Sequence, residues 1–184
     1  YTQVDLAKTN IPTDLSLYTT LSVATLNSVL KKIDTTLTAD HQSKVDGYVT
    51  SINNAISNLK FKDADYSKVT VARAKVPSDS SLYTEESWQH LQDKLNEVEE
   101  GLDIRYQEQV NNYAKAIEQA IIDLKYLPAD YTKLNEAIAD AETAIKTGYY
   151  TDETVASLND VLKSIDKNLD IRNQKKVDMY EQAV

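Results

Sequence analysis

The chain contains no cysteine, and only three glycines, three prolines, one methionine, one tryptophan and one phenylalanine. Lacking cysteine, it has no disulfides, no thiolate metal ligands and no cysteine nucleophile. The compartment is left open, because a secreted protein need not carry disulfides. No apolar run approaches the ~20 residues that a membrane span needs. The chain opens on Tyr1 with neither an initiator methionine nor a basic-then-apolar signal region, as expected of a piece taken from a longer protein. Positive charge is also in deficit. Lysine and arginine number 20 against 29 aspartate and glutamate, and the net charge of −9 argues for solubility and against nucleic acid or an anionic membrane surface as partner. What remains is 184 residues, 41% of them hydrophobic, enough to bury a core.

Self-similarity organises those residues. Tyr1-Thr2-Gln3-Val4, Tyr66-Ser67-Lys68-Val69 and Tyr131-Thr132-Lys133-Leu134 recur with a period of 65 residues. The expected domains are therefore repeat one at 1–65, repeat two at 66–130 and a C-terminally short repeat three at 131–184. Tyr18-Thr19 and Tyr83-Thr84 correspond to Tyr150-Thr151, so the third copy carries a two-residue insertion before that point. Copies one and two have Pro12 and Pro77 there and the third has none. Proline stops the first helix early in the first two copies, and its absence lets Ala137 to Lys146 continue as helix until Gly148 ends it.

Apolar residues follow a helical period. Val23, Leu26, Leu30, Ile33 and Leu37 are repeated as Trp88, Leu91, Leu95, Val98 and Leu102 and as Val155, Leu158, Leu162, Ile165 and Leu169, each set stepping by three and four. A third helix repeats Val45, Tyr48, Ile52, Ile56 and Leu59 as Val110, Tyr113, Ile117, Ile121 and Leu124, and a shorter first helix presents Tyr66, Val69, Ala72 and Val76. No stretch holds a period of two, so strands are not expected. Short connections place successive helices side by side. The expected fold is all-α, tandem three-helix bundles running up-down-up and joined into an elongated rod.

Local signals mark the joints. Thr84 caps the second helix, Glu85 and Glu86 sit at the positive end of its dipole, and Tyr83 packs on Trp88 as a hydrophobic staple. Thr19 and Thr151 repeat the cap. Asp103 and Asp170 are suited to cap the segment that follows the second helix, with Thr38 in that role in copy one. Pro128-Ala129-Asp130 separates copy two from copy three, whereas Lys62-Asp63-Ala64-Asp65 has no proline and is expected to allow a nearly continuous helix. Phe61 and Tyr126 are the expected junction aromatics. Val184 matches Ile117, so the last helix is short by about two turns and copy three is expected to be the least stable.

Leu82-Tyr83-Thr84-Glu85-Glu86-Ser87, then Gly101-Leu102-Asp103 with Gln107 and Val110, and the linker Leu127-Pro128-Ala129-Asp130-Tyr131-Thr132, together resemble the FIVAR repeat, the "found in various architectures" module. Copy one departs from it, with Thr19-Thr20-Leu21-Ser22 and no Pro-Ala-Asp exit. The resemblance implies a three-helix module of Gram-positive bacterial surface or secreted proteins, in tandem within cell-wall-anchored adhesins or attached to secreted glycoside hydrolases. It implies an extracellular location, adjacent repeats as neighbours, and host-matrix glycoproteins such as fibronectin, or glycans, as partners. It assigns no binding residue.

The residues offer little chemistry. His41 and His90 fall at non-equivalent positions, matching Tyr106 and Thr25, and belong on helix surfaces. There is no paired-histidine metal motif, phosphate loop or calcium loop, and Glu97, Glu99 and Glu100 read as a solvated face. No catalytic, cofactor-binding or metal residue is expected, and the chain is read as no enzyme. Ligand-binding residues stay open. Most of the twelve tyrosines recur at equivalent positions and serve packing. Tyr106 and Tyr149 do not, and are the surface candidates for stacking on a sugar. By copy the net charge is −1, −5 and −3, so the surfaces have diverged while the apolar seams have not.

Overall fold

The computed structural model describes residues 1–184 and is all-helical. In chain order its helices are α1 (Thr2–Thr9), α2 (Thr20–Lys31), α3 (Gln42–Ser57), α4 (Ser67–Ala74), α5 (Glu85–Asn96), α6 (Gln107–Ile122), α7 (Thr132–Lys146), α8 (Asp152–Ser164) and α9 (Gln174–Ala183). Short 3-10 turns precede α2, α3, α5, α6 and α9. The chain divides into two compact units, residues 1–71 with 97–115 and residues 72–96 with 116–184. This division falls inside the second sequence copy.

In the first unit α1 and α2 both pack on α3. Val4, Ala7, Val45 and Ile52 form the buried centre, closed by Val29, Leu30, Tyr48 and Ile56. Ala64, Val69, Val110 and Ala114 are also buried in this unit. In the second unit α7 packs on α9, with Ala129, Leu134 and Val177 at the centre and Tyr131, Ile138, Tyr180 and Val184 around it. Leu91, Ile117 and Ala120 are buried there too. No polar or charged residue is buried in either unit.

Helix lengths follow the breakers. α1 and α4 are eight residues each and stop before Pro12 and Pro77, whereas α7 runs for 15 residues. Beyond α7, Gly148 takes a φ of +71°, a conformation that costs glycine nothing and other residues more. The threonine caps of the second helices form as expected, whereas Thr38 makes no capping bond and its hydroxyl turns to the Asp40 carboxylate. Thr19 Oγ1 accepts from the Ser22 N–H and Thr151 Oγ1 from the Thr154 N–H, at 3.4 and 3.3 Å. Thr84 accepts from the Ser87 N–H at 3.4 Å, and Tyr83 stacks on Trp88 with ring centres 5.9 Å apart.

Two expectations are corrected. The apolar seam of the second helices outruns the helices, because α2, α5 and α8 end at Lys31, Asn96 and Ser164. Ile33, Leu37, Ile165 and Leu169 reach the cores from the loops that follow. Those loops are fixed by side chain to backbone bonds that compete with helix: Asp34 accepts the Thr36 N–H and Asp166 the Asn168 N–H, both at 2.9 Å. In copy two the turn falls on Gly101, with φ +78°.

The second correction concerns residues 59–66, which are extended and form no continuous helix between α3 and α4. Their main-chain groups are taken by other partners. The Lys62 N–H donates to Leu17 O at 2.9 Å, and the Ala64 N–H to Leu102 O at 2.9 Å. A missing proline is therefore insufficient to keep the chain helical where lateral acceptors compete.

Candidate functional site

The most elaborated feature of the molecule is the connector between copies, and it is built twice from the same parts. The first, residues 59–66, lies in the first unit, and the second, residues 124–131, in the second unit. Each is a short extended segment hydrogen-bonded along both edges. On one edge the Thr19 N–H donates to Lys60 O at 2.7 Å and the Lys62 N–H to Leu17 O. On the other, Ala64 N–H reaches Leu102 O and Ile104 N–H reaches Lys62 O, at 2.9 and 2.8 Å. The second connector repeats all four bonds: Thr84 to Lys125, Leu127 to Leu82, Ala129 to Leu169 and Ile171 to Leu127, at 2.8 to 3.0 Å. Isolated β-bridges mark the same places, Tyr18 with Phe61, Asp63 with Asp103, Tyr83 with Tyr126 and Pro128 with Asp170.

A glutamine closes the end of each connector. Gln107 accepts the Asp65 N–H on Oε1 at 2.6 Å and donates from Nε2 to Asp65 O at 2.9 Å. Gln174 holds Asp130 in the same two-point grip, again at 2.6 and 2.9 Å. A side-chain amide carries the donor and acceptor of a peptide group, so it pairs with an extended residue as a strand neighbour would. Asp65 and Asp130 then turn back to accept the N–H of Ser67 and Thr132, which starts the next helix.

Above the connector stands a stack. Tyr18 lies against Phe61 with ring centres 4.5 Å apart, and Arg105 covers the other side of Phe61 with its guanidinium carbon 3.9 Å from the ring centre. Tyr83, Tyr126 and Arg172 repeat it, at 4.7 and 3.7 Å. Here the Tyr83 hydroxyl also donates to the Tyr126 hydroxyl at 3.3 Å, and that bond, with burial, raises the Tyr83 phenol above its ordinary value. The guanidinium is aimed by an aspartate. Asp103 accepts from Arg105 Nη2 at 2.6 Å, from its Nε at 2.9 Å and from its backbone N–H at 3.0 Å. These bonds hold the Asp103 carboxyl below the usual carboxylate range, and the Asp103 partner raises Arg105 in turn. Asp170 and Arg172 make the same arrangement. An exposed ion pair alone contributes little. Its use here is to fix a planar cation over a ring, where both cation–π attraction and apolar contact count.

The opening tyrosines brace the same region. The Tyr66 hydroxyl donates to Glu99 O at 2.6 Å and accepts the Leu102 N–H at 3.2 Å, and the Tyr131 hydroxyl does the same with Asp166 O and the Leu169 N–H at 3.0 and 2.8 Å. Tyr1 holds Asp34 O and the Leu37 N–H in copy one.

Comparison of the chain with protein-family models, with curated proteins and with solved structures finds no match.

Outside the connectors the surface is plain. His41 is exposed and its Nδ1 lies 3.3 Å from Asp40, while His90 is exposed on α5. No group of three or more histidine, aspartate or glutamate side chains is placed to hold a metal ion. No helix is long and apolar enough to cross a membrane. An open cleft of about 660 Å³ between the start of α5 and the end of α6 is lined by Glu86, His90, Ile122 and Lys125 among others. Its counterpart in copy one, about 180 Å³, has Leu21 and Thr25 where copy two has Glu86 and His90. Tyr106 and Tyr149 are 46% and 90% exposed, as befits the two tyrosines without repeated partners.

Sequence reasoning placed Phe61 and Tyr126 at the junctions and Asp103 and Asp170 as caps, and the structure does both. It missed the arginines over the rings and the glutamine grip. A signal existed: Asp103-Ile104-Arg105-Tyr106-Gln107 recurs as Asp170-Ile171-Arg172-Asn173-Gln174.

Proposed function

We propose that this chain is a non-enzymatic tandem-repeat segment of a bacterial cell-surface adhesin, serving as a stalk or spacer. Its repeats 1–65, 66–130 and 131–184 are three-helix modules of the FIVAR type that add length as an elongated rod. The observation that carries the reading is the connector stack, built at Phe61 and again at Tyr126 from matching residues. A protein that places an aromatic ring, an arginine, an aspartate and a glutamine at equivalent positions of both joints, while its outer surfaces drift in charge, is organised around holding neighbours in register. Contacts at joints stiffen a repeat array, and stiffness is what a spacer supplies. The FIVAR resemblance supports the reading of a spacer on a Gram-positive surface, with host-matrix glycoproteins as the class of partner reached.

A binding module is the second reading, and Tyr149 with Tyr150 favours it: the two adjacent rings are 90% and 52% exposed, and rings of this kind stack on sugars. A non-catalytic appendage of a secreted glycoside hydrolase would use the same face. Biosensor binding of the chain to immobilised fibronectin, fibrinogen, mucin and heparin at physiological salt, paired with small-angle scattering, separates the readings. The spacer reading expects flat responses and an elongated scattering profile. Saturable binding lost in Tyr149→Ala establishes the module reading, and a compact scattering profile removes the stalk.

A further inference from the structure

Copy one carries the receiving half of a connector site, on which only the Tyr1 hydroxyl is seated, 3.3 Å from Leu37 O. In copies two and three the loop before the third helix receives an extended segment through three groups: a carbonyl (Leu102, Leu169), an N–H two residues on (Ile104, Ile171) and a glutamine amide (Gln107, Gln174). The equivalent groups of copy one are Leu37 O, Ala39 N–H and the Gln42 side chain. The Ala39 N–H has no acceptor in the protein, and Gln42 uses only Nε2, toward Asp46 at 2.8 Å. Thr38, Ala39 and Gln42 are exposed, whereas Asp103, Ile104, Gln107, Asp170, Ile171 and Gln174 are half-buried.

We infer that residues 37–42 form a docking edge for an extended four-residue segment placed directly ahead of Tyr1, with a small residue third and an aspartate fourth. The occupied sites set each requirement. Asp65 and Asp130 are bonded to Tyr66 and Tyr131, the counterparts of Tyr1, so the segment reaches the edge along the chain. Ala64 and Ala129 are 8% and 6% exposed, which leaves room for a small side chain only. The first residue of the segment accepts from the Ala39 N–H, the third donates to Leu37 O, and the fourth is gripped by Gln42. Tyr1 already holds the loop in the receiving conformation through its hydroxyl, as Tyr66 and Tyr131 do in the filled sites. One part differs. Asp40 stands where Arg105 and Arg172 stand, so the segment is held by main-chain pairing and the glutamine, without a guanidinium over a ring. This placement follows from repeat geometry and does not require the stalk reading.

The test compares the full chain extended before Tyr1 by Tyr-Leu-Pro-Ala-Asp, the sequence of residues 126–130, with the same chain extended by Gly-Ser-Gly-Ser-Gly. Amide hydrogen exchange read by NMR is expected to slow at Ala39 by about tenfold or more in the first chain, with a shift of the Gln42 side-chain amide resonances. Gln42→Ala in the extended chain returns Ala39 to fast exchange, while slow exchange at Ile104 and Ile171 shows that the protein stays folded. Equal Ala39 exchange in the two extended chains overturns the inference. Protection by free amidated Tyr-Leu-Pro-Ala-Asp equal to that of the fused segment overturns the covalent placement and makes the edge a site for a separate chain.

Discussion

Arg105 lies over Phe61 with its guanidinium carbon 3.9 Å from the ring centre, held there by Asp103. Phe61 is thus sandwiched between a cation and the ring of Tyr18. Phe61→Leu keeps apolar volume but removes both ring interactions, and the aromatic pair alone accounts for roughly 0.5–1.5 kcal/mol. Urea unfolding is expected to show that loss, with a smaller one for Arg105→Ala. An unchanged midpoint in Phe61→Leu would show that the stack is incidental to stability.

Tyr131 acts through one oxygen. Tyr131→Phe leaves the ring in place and deprives the half-buried Leu169 N–H of its only acceptor, a bond of 2.8 Å. The expected cost is about 1–2 kcal/mol, because an unpaired donor away from water forfeits its solvation. Thermal unfolding checks it, and faster exchange at the Leu169 amide localises the change.

Thr151 begins α8 with a capping bond to Thr154. Thr151→Ala is expected to cost about 1 kcal/mol and Thr151→Ser almost nothing, since serine offers the same oxygen. Circular dichroism melts of the two variants provide the comparison.

Gly148 carries the turn out of α7 at φ +71°, with open space where a Cβ would stand. Gly148→Ala therefore meets no clash, and its expected cost of about 1 kcal/mol is backbone strain alone. Gly148→Asn recovers part of it.

Acid should loosen the molecule at its turns. Asp65, Asp79, Asp103, Asp130 and Asp170 all sit below the ordinary carboxylate value of 3.8, held by side-chain and backbone hydrogen bonds. A carboxylate with a lower value folded than unfolded stabilises the folded state above 3.8 and loses that contribution as pH falls through the folded value. Stability is expected to be flat from about pH 5 to 7 and to drop below about pH 4. Asp103→Asn combined with Asp170→Asn should shallow that drop in pH-dependent urea titrations.

Much of this molecule is legible in the chain. Helix existence, the early stop before Pro12 and Pro77, the long α7 ending at Gly148 and the threonine caps each depend on residues within a few positions of one another. Local sterics and local hydrogen bonds decide them. The apolar seam was legible too, but its continuation through Ile33, Leu37, Ile165 and Leu169 hid the ends of α2 and α8, because a loop that returns to the core keeps apolar residues at helix-like spacing.

The connectors are the part that local signals misstate. Residues 59–66 contain nothing that forbids a helix, and they are extended because Leu17, Leu102 and Ile104 offer their main-chain groups from distant positions. The same holds for Arg105 over Phe61 and Gln107 on Asp65, pairs more than forty residues apart. Sequence alone determined which segments are helical and how the copies repeat, because those depend on short-range geometry. Only the tertiary structure decided what the joints are made of, because a joint is formed by groups that meet after the helices have packed.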